Sequence, residues 1–460
     1  MKSNKRRLNK KDYKTLGLSS LGGTLEFYDF VIYALLIETI VKPLFLPPDF
    51  ANTVWGQVYA WGGFAAAYAA RPIGGVIMAH FGDTLGRKKM FTLSVAMMAL
   101  PTFIIGIMPT YETINIFAPV LLILMRMLQG AAIGGEMPGA WVFIAEHTQK
   151  SKYGMGIGVL TSGITGGIFL GFLAIIILNK IFTPDEVLHG AWRILFILGG
   201  LFGVISVFLR RYLSETPIFQ EMAERKELSK EVPVITVIKK HRLACFVVGF
   251  LTWTLSTTVM VAILITPTLI LQKLYGLNAI DAGITGLILA GCLTLGCVIF
   301  GFLEDKLQTR ATALIAYIGL IISSFWFYSS LFYSPSIDTI HINAAILGIF
   351  TGSIVLTPII GTRAFPPIIR YSGLSFSYNL AYAIFSFITP MFTIFLTTKY
   401  FPAFYTKHIG EEGFVGQLLP ELEKTSTFGL IGPAIYISIV AIVGIIVTQI
   451  TISRRGYKAK

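Results

Sequence analysis

Apolar runs of about 20 residues recur along the chain, each long enough to cross the hydrocarbon core of a bilayer as a helix. Bounded by charged or Pro/Gly-rich turns, they fall near 15–42, 55–80, 89–108, 117–141, 154–180, 191–212, 243–271, 281–303, 311–333, 342–363, 374–399 and 428–452. Of the 460 residues, 54% are hydrophobic and only 13% are charged. A soluble domain, with roughly a quarter of its residues charged, cannot be built from that balance. The expected fold is an all-α membrane protein of twelve transmembrane helices, its spans divided six and six by one long polar segment.

The net charge of +13 is not spread as a nucleic-acid partner would require. Lys and Arg gather in the first fourteen residues, at Arg87, Lys88 and Lys89, in the mid-chain segment and in the tail. That is the positive-inside pattern of cytoplasmic loops, and an even span count then leaves both termini in the cytoplasm. Asp49, Glu112, Asp185, Glu186, Asp338, Glu411, Glu412, Glu421 and Glu423 fall on the other side. The first apolar segment is too long and too acidic for a cleaved signal peptide, so it reads as a retained span. The polar stretch "SETPIFQEMAERKELSKEVPVITVIKKHR" reads as an amphipathic cytoplasmic helix. It gives three parts: a first half at 1–213, a linker at 214–242 and a second half at 243–460. "AHFGDTLGRKK" after span 2 and "GFLEDKLQTR" after span 8 align Asp83 with Asp305 and Lys88 with Arg310. The halves are thus pseudo-symmetric, a secondary-transporter design with its site near the midplane.

Ionisable residues inside spans are costly and mark function. "GGTLEFYDFVIYA" carries Glu26 and Asp29 three residues apart on one helical face, which Tyr33 extends by a turn. "RMLQGAAIGGEMPGA" places Arg126 in span 4, with Gln129 and Gly130 on its face and Glu136 further along. Gly130 and Gly134 form a small-xxx-small pair that admits a close neighbour. Burial raises a carboxyl pKa and a nearby arginine lowers it, so acids sharing one cation titrate as a coupled set. Glu26, Asp29, Arg126 and Glu136 are the expected proton-coupling residues. A purely structural pairing of both acids with Arg126 and Arg71 is the competing reading.

Other chemistry finds little footing. Cys245, Cys292 and Cys297 lie in apolar runs without disulfide or zinc spacing. The six histidines sit singly and neither HExxH nor GxSxG occurs, so no enzyme, metal or cofactor is expected. The short tail "SRRGYKAK" offers no sensor domain.

"AHFGDTLGRKK" resembles the loop signature of the major facilitator superfamily. The resemblance implies that Gly82, Asp83, Gly86, Arg87 and Lys88 form a gating loop that latches the halves on the cytoplasmic side. "TLEFYDFVIY", "ARPIGG", "RMLQGAAIGGE", "AWRILF", "SETPIF" and "FPPIIRYSGLSFSYN", in that order, are similar to blocks of its metabolite:proton symporter family. "IGIMPTYETINIFAPVLLI" most resembles the proline/betaine transporters within it. This implies a proton-coupled symporter in a bacterial cytoplasmic (inner) membrane. Its partners would be a small-molecule substrate, a proton and the lipid bilayer, and it would act as a monomer. A zwitterion such as betaine or proline is the expected substrate. A small carboxylate such as 2-oxoglutarate or citrate, or efflux by the same fold, stays open. A quaternary ammonium is held by ring faces and its carboxylate by a cation. Tyr28, Tyr33, Arg71, Arg126, Trp253, Tyr378 and Asn379 are therefore the expected substrate-binding residues. Two departures stand out: Gln308 and Thr309 replace the Gly and Arg of the loop pattern, and Arg363 stands where an acid is usual. Both argue for a weak or absent second-half latch.

Overall fold

The computed structural model describes residues 31–51, 54–85, 87–210, 233–333, 335–397 and 429–455, with Gly17, Ser20, Gly23, Thr24, Phe27, Tyr28 and Glu224. Every regular element among them is a helix. This follows from the solvent: in hydrocarbon a backbone must satisfy its own polar groups, and a helix does so within one segment. Eight described stretches are long and apolar enough to span a membrane. One of these, Ala279–Tyr333, runs for 55 residues and breaks at Gln308, giving two spans.

Over their described residues the twelve membrane helices are α1 (31–45), α2 (Val54–Leu85), α3 (Arg87–Ile107), α4 (Phe117–His147), α5 (Tyr153–Ile181) and α6 (Trp192–Arg210), then the second set. That set is α7 (Arg242–Thr258, continuing as a π-helix over Val259–Leu274), α8 (279–307), α9 (309–330), α10 (Ile337–Ala364), α11 (Arg370–Phe395) and α12 (Gly432–Arg455). The polar mid-chain stretch lies largely outside the described residues; its end forms a short helix, Pro233–Lys240.

Helix contacts on two sides join the lobes α1–α6 and α7–α12. On one side α2 and α4 pack on α11; on the other α5 packs on α8. Missing side chains set the α5–α8 contact between the lobes and the α2–α4 contact within the first lobe. A Cβ on Gly134 would lie 2.2 Å from the Arg71 carbonyl oxygen of α2, and one on Gly154 would lie 2.4 Å from the Gly301 carbonyl oxygen of α8. The small-xxx-small pair of α4 therefore presses α2 against it and fixes where Arg71 leaves the backbone.

Candidate substrate site at the lobe interface

Arg71, on α2, is fully buried. Its guanidinium carbon lies 4.5 Å from the ring centroid of Tyr68 and 4.7 Å from that of Tyr382. The two rings stack, with centroids 5.1 Å apart and 20° between planes. Tyr68 precedes Arg71 by three residues and so shares its face of α2, whereas Tyr382 comes from α11 of the other lobe. Tyr378, one turn earlier on α11, packs on Tyr382 at 5.2 Å and edge-on to Trp141 of α4 at 5.0 Å. The Tyr378 and Tyr382 hydroxyls lie within electrostatic range of Arg71. A buried cation over two aromatic faces gains about 2 kcal/mol or more when desolvated, which offsets much of the 2.5–3.5 kcal/mol insertion cost of a mid-span arginine.

Below this box α11 is bonded to the first lobe. Asn379 Nδ2 donates to the Gly134 carbonyl at 2.6 Å, Ser375 Oγ to that of Gly75 at 3.1 Å, and Tyr371 Oη to that of Gly135 at 2.6 Å. Asn379 is buried and its Oδ1 has no hydrogen-bond partner among the described residues; the same holds for Trp141 Nε1.

Arg126 occupies a separate station within the first lobe. Its guanidinium carbon sits 4.0 Å from the Tyr33 ring centroid, and Nη1 donates to Gln129 Oε1 at 2.8 Å. Gln129 Nε2 passes the chain to Thr102 Oγ1 of α3 at 2.6 Å. Glu136, ten residues further and so about 15 Å along the axis, accepts from Ser94 Oγ of α3. Arg126 and Glu136 thus belong to different layers of α4.

The remaining sequence candidates disperse. Tyr28 Oη donates to the Leu195 carbonyl of α6 at 3.2 Å and its ring meets Phe202, so it packs inside the first lobe. Trp253 Nε1 donates to Tyr436 Oη at 3.2 Å and its ring stacks on Phe385, inside the second. The Tyr436 hydroxyl also meets Thr257 and Thr389, so this cluster ties α7, α11 and α12 together. Glu26, Asp29 and Gly86 lie outside the described residues, and of Gly82, Asp83, Arg87 and Lys88 only the backbone is described.

The second-half latch is present, against the expectation drawn from Gln308, Thr309 and Arg363. Asp305 accepts the backbone N–H groups of Gly154 and Met155, each at 2.8 Å, through its two carboxylate oxygens. Its carboxylate thereby caps α5, whose own N-cap residue, Lys152, makes no side-chain cap. Arg363 Nη1 meets Glu304 Oε1 at 2.6 Å, and its guanidinium carbon lies 4.2 Å from the Tyr153 ring centroid. The base that stands at 363 is thus paired with an acid of α8, and an ion pair is present here. On the α2–α11 side, Arg370 reaches the buried Glu146 at 3.5 Å. The lobes are therefore closed together at the face bearing the α2–α3 loop. At the opposite end a cavity of ≈ 290 Å³ lies between α1 and α5 of one lobe and α7 and α8 of the other.

Tyr68 and Trp141 were missed in sequence. Tyr68 was within reach, since a tyrosine three residues before a buried arginine shares its face. Trp141 carried no such signal.

A twelve-helix bundle in two joined lobes, with a buried charged box at their seam, is a secondary transporter. The chain belongs to the Major Facilitator Superfamily, whose family model matches residues 21–390. It is 31% identical over 430 residues to a Staphylococcus aureus protein provisionally named a proline/betaine transporter, covering 90% of each. It is 29% identical over 422 residues to the proline/betaine transporter of Salmonella typhimurium, covering 87% of this chain and 82% of that one. In fold it resembles the proton:xylose symporter XylE, with a TM-score of 0.70 at 14% identity over 96% of this chain and 95% of that one. The protein is a multi-pass membrane transporter, not an enzyme.

Proposed function

We propose that this transporter is a proton-coupled symporter that imports a small zwitterion, betaine or proline, by alternating access. It would lie in the bacterial cytoplasmic membrane with both termini, and the latched face, toward the cytoplasm. The observation that carries the reading is the Arg71 box, a cation beside two stacked tyrosine rings drawn from different lobes. Ring faces are what a quaternary ammonium needs, because it has no N–H to donate. In this conformation the Arg71 guanidinium lies against both rings itself. An entering zwitterion would place its ammonium on Tyr68 and Tyr382 while its carboxylate draws Arg71 off the rings, with Trp141 Nε1 as a second donor. Binding would then require both lobes and both charges of the substrate. The relatives named for proline/betaine transport support the same substrate class.

In this reading Glu26 and Asp29 carry the proton, Arg126 is their counter-ion and Glu136 a deeper relay. Its support is the Tyr33–Arg126 contact, since Asp29 precedes Tyr33 by four residues. The loop of Gly82, Asp83, Gly86, Arg87 and Lys88 would be the first-half counterpart of the Asp305 latch. One proton crossing 100 mV supplies about 2.3 kcal/mol, enough for a roughly 50-fold substrate gradient at 1.4 kcal/mol per decade.

Uptake into liposomes under an imposed inward proton gradient tests this. Betaine or proline should accumulate, a protonophore should collapse the gradient, and Asp29→Asn should abolish uphill uptake while the protein still inserts. Accumulation of 2-oxoglutarate or citrate in place of the zwitterions would remove the ammonium cage. Undiminished accumulation by Asp29→Asn would remove Asp29 from the mechanism.

A further inference from the structure

Away from the lobe seam, an apolar groove of ≈ 490 Å³ runs between the first half of α7 and the middle of α11. Phe246 and Ile384 on its walls are 65% and 47% exposed, so the groove opens outward, toward lipid in a membrane-spanning bundle. Its floor is low because Gly249 has no side chain: a Cβ built there meets only the Ala381 Cβ, at 3.8 Å. One end differs. Arg242 lines the groove where α7 begins and is exposed, with Nε donating to the Ile238 carbonyl at 3.2 Å. That bond holds the guanidinium at the groove mouth. Lys239 and Lys240, also exposed, end the short helix Pro233–Lys240. This helix buries Val234 and Val237 while exposing Ile235 and Ile238, as a helix lying in the membrane–water interface does.

We propose that the groove binds one anionic glycerophospholipid. Its phosphate sits on Arg242 with Lys239 and Lys240 adding charge, and one acyl chain lies along α7 and α11 over Gly249. Free phosphate would use only the cations; the apolar trough continuous with them selects an amphiphile. A zwitterionic lipid brings its own ammonium against three positive groups, which disfavours it. The other wall of the groove is α11, the helix that carries Tyr378, Asn379 and Tyr382 at the lobe seam. A lipid seated there lies against the back of the substrate box.

Trp253 supplies a reporter, because its ring stacks at 4.9 Å on Phe385, a groove residue. The full-length protein is placed in phosphatidylcholine nanodiscs doped with phosphatidylglycerol, or with phosphatidylcholine, carrying the same brominated acyl chains. The Trp253 signal is taken as the difference from W253F. Brominated phosphatidylglycerol should quench at about five-fold lower mole fraction than the choline lipid. Joint substitution K239Q, K240Q and R242Q should bring the two curves together, and G249L, which fills the trough, should weaken both. Equal quenching by the two lipids in the wild type overturns the proposal. So does a headgroup preference that survives the triple substitution, or undiminished quenching in G249L.

Discussion

Replacing Asp305 by alanine should open the latched face without unfolding either lobe. The Asp305 carboxylate belongs to the second lobe, while the two N–H groups it accepts, of Gly154 and Met155, begin α5 of the first. The bonds therefore exist only while the lobes are closed on that side, and their loss acts on the conformational equilibrium. Removing a helix cap costs about 0.5–2 kcal/mol, and an anion at a helix N-terminus adds about 0.3–1 kcal/mol. A combined loss of about 2 kcal/mol shifts the closed-to-open ratio roughly 30-fold. Asp305→Asn keeps an acceptor but not the charge, and about half the loss gives a shift of about five-fold. Spin labels on Ser151 and Lys239, exposed sites just before α5 of the first lobe and α7 of the second, report the separation in a background with the three native cysteines replaced. Pulsed electron double resonance should show a longer-distance population growing from wild type to Asn to Ala. Identical distance distributions for wild type and Asp305→Ala would refute the reasoning.

Asn379→Ala removes the bond to the Gly134 carbonyl on the opposite seam; its opening effect should add to that of Asp305→Ala in the same distance measurement. Gln308 sits at φ 65 and ψ 161, a region held almost only by glycine at a cost of about 1–3 kcal/mol for other residues. Gln308→Gly should therefore raise stability by about 1 kcal/mol after its chain-entropy penalty, read as a higher thermal midpoint; a lowered midpoint would show the turn is not strained. Gly134→Leu drives a side chain into the Arg71 carbonyl and should eliminate the monodisperse species in size-exclusion chromatography, whereas recovery at wild-type yield would contradict the packing.

The helices were legible because apolar run length and turn residues are local signals. Their observed bounds differ by a few residues, as with α4, which continues to His147. The Arg126–Gln129 pair was equally local, being one turn of one helix. What spans the two lobes was not legible. Asp305 caps a helix that begins about 150 residues earlier in the chain; the one hint was that α5 starts at Tyr153 with no capping residue of its own. Arg363 looked like the loss of an ion pair because its partner, Glu304, lies on another helix. Helical periodicity shows which residues share a face but not which neighbour that face meets. Arg126 and Arg71 were therefore indistinguishable in sequence, although only Arg71 meets the tyrosines of α11. The packing of Tyr28 and Trp253 inside separate lobes was not legible for the same reason.

The Arg71 box is tested most directly by equilibrium binding of betaine and of choline to purified wild-type protein and Arg71→Gln. Choline carries the same ammonium without a carboxylate, so it cannot draw Arg71 off Tyr68 and Tyr382. The wild type should bind betaine at least about ten-fold more tightly than choline, the factor set by cation–π contacts of about 1–2 kcal/mol. Arg71→Gln should bind the two alike. Equal affinities in the wild type, or a betaine preference that persists in Arg71→Gln, would contradict the account.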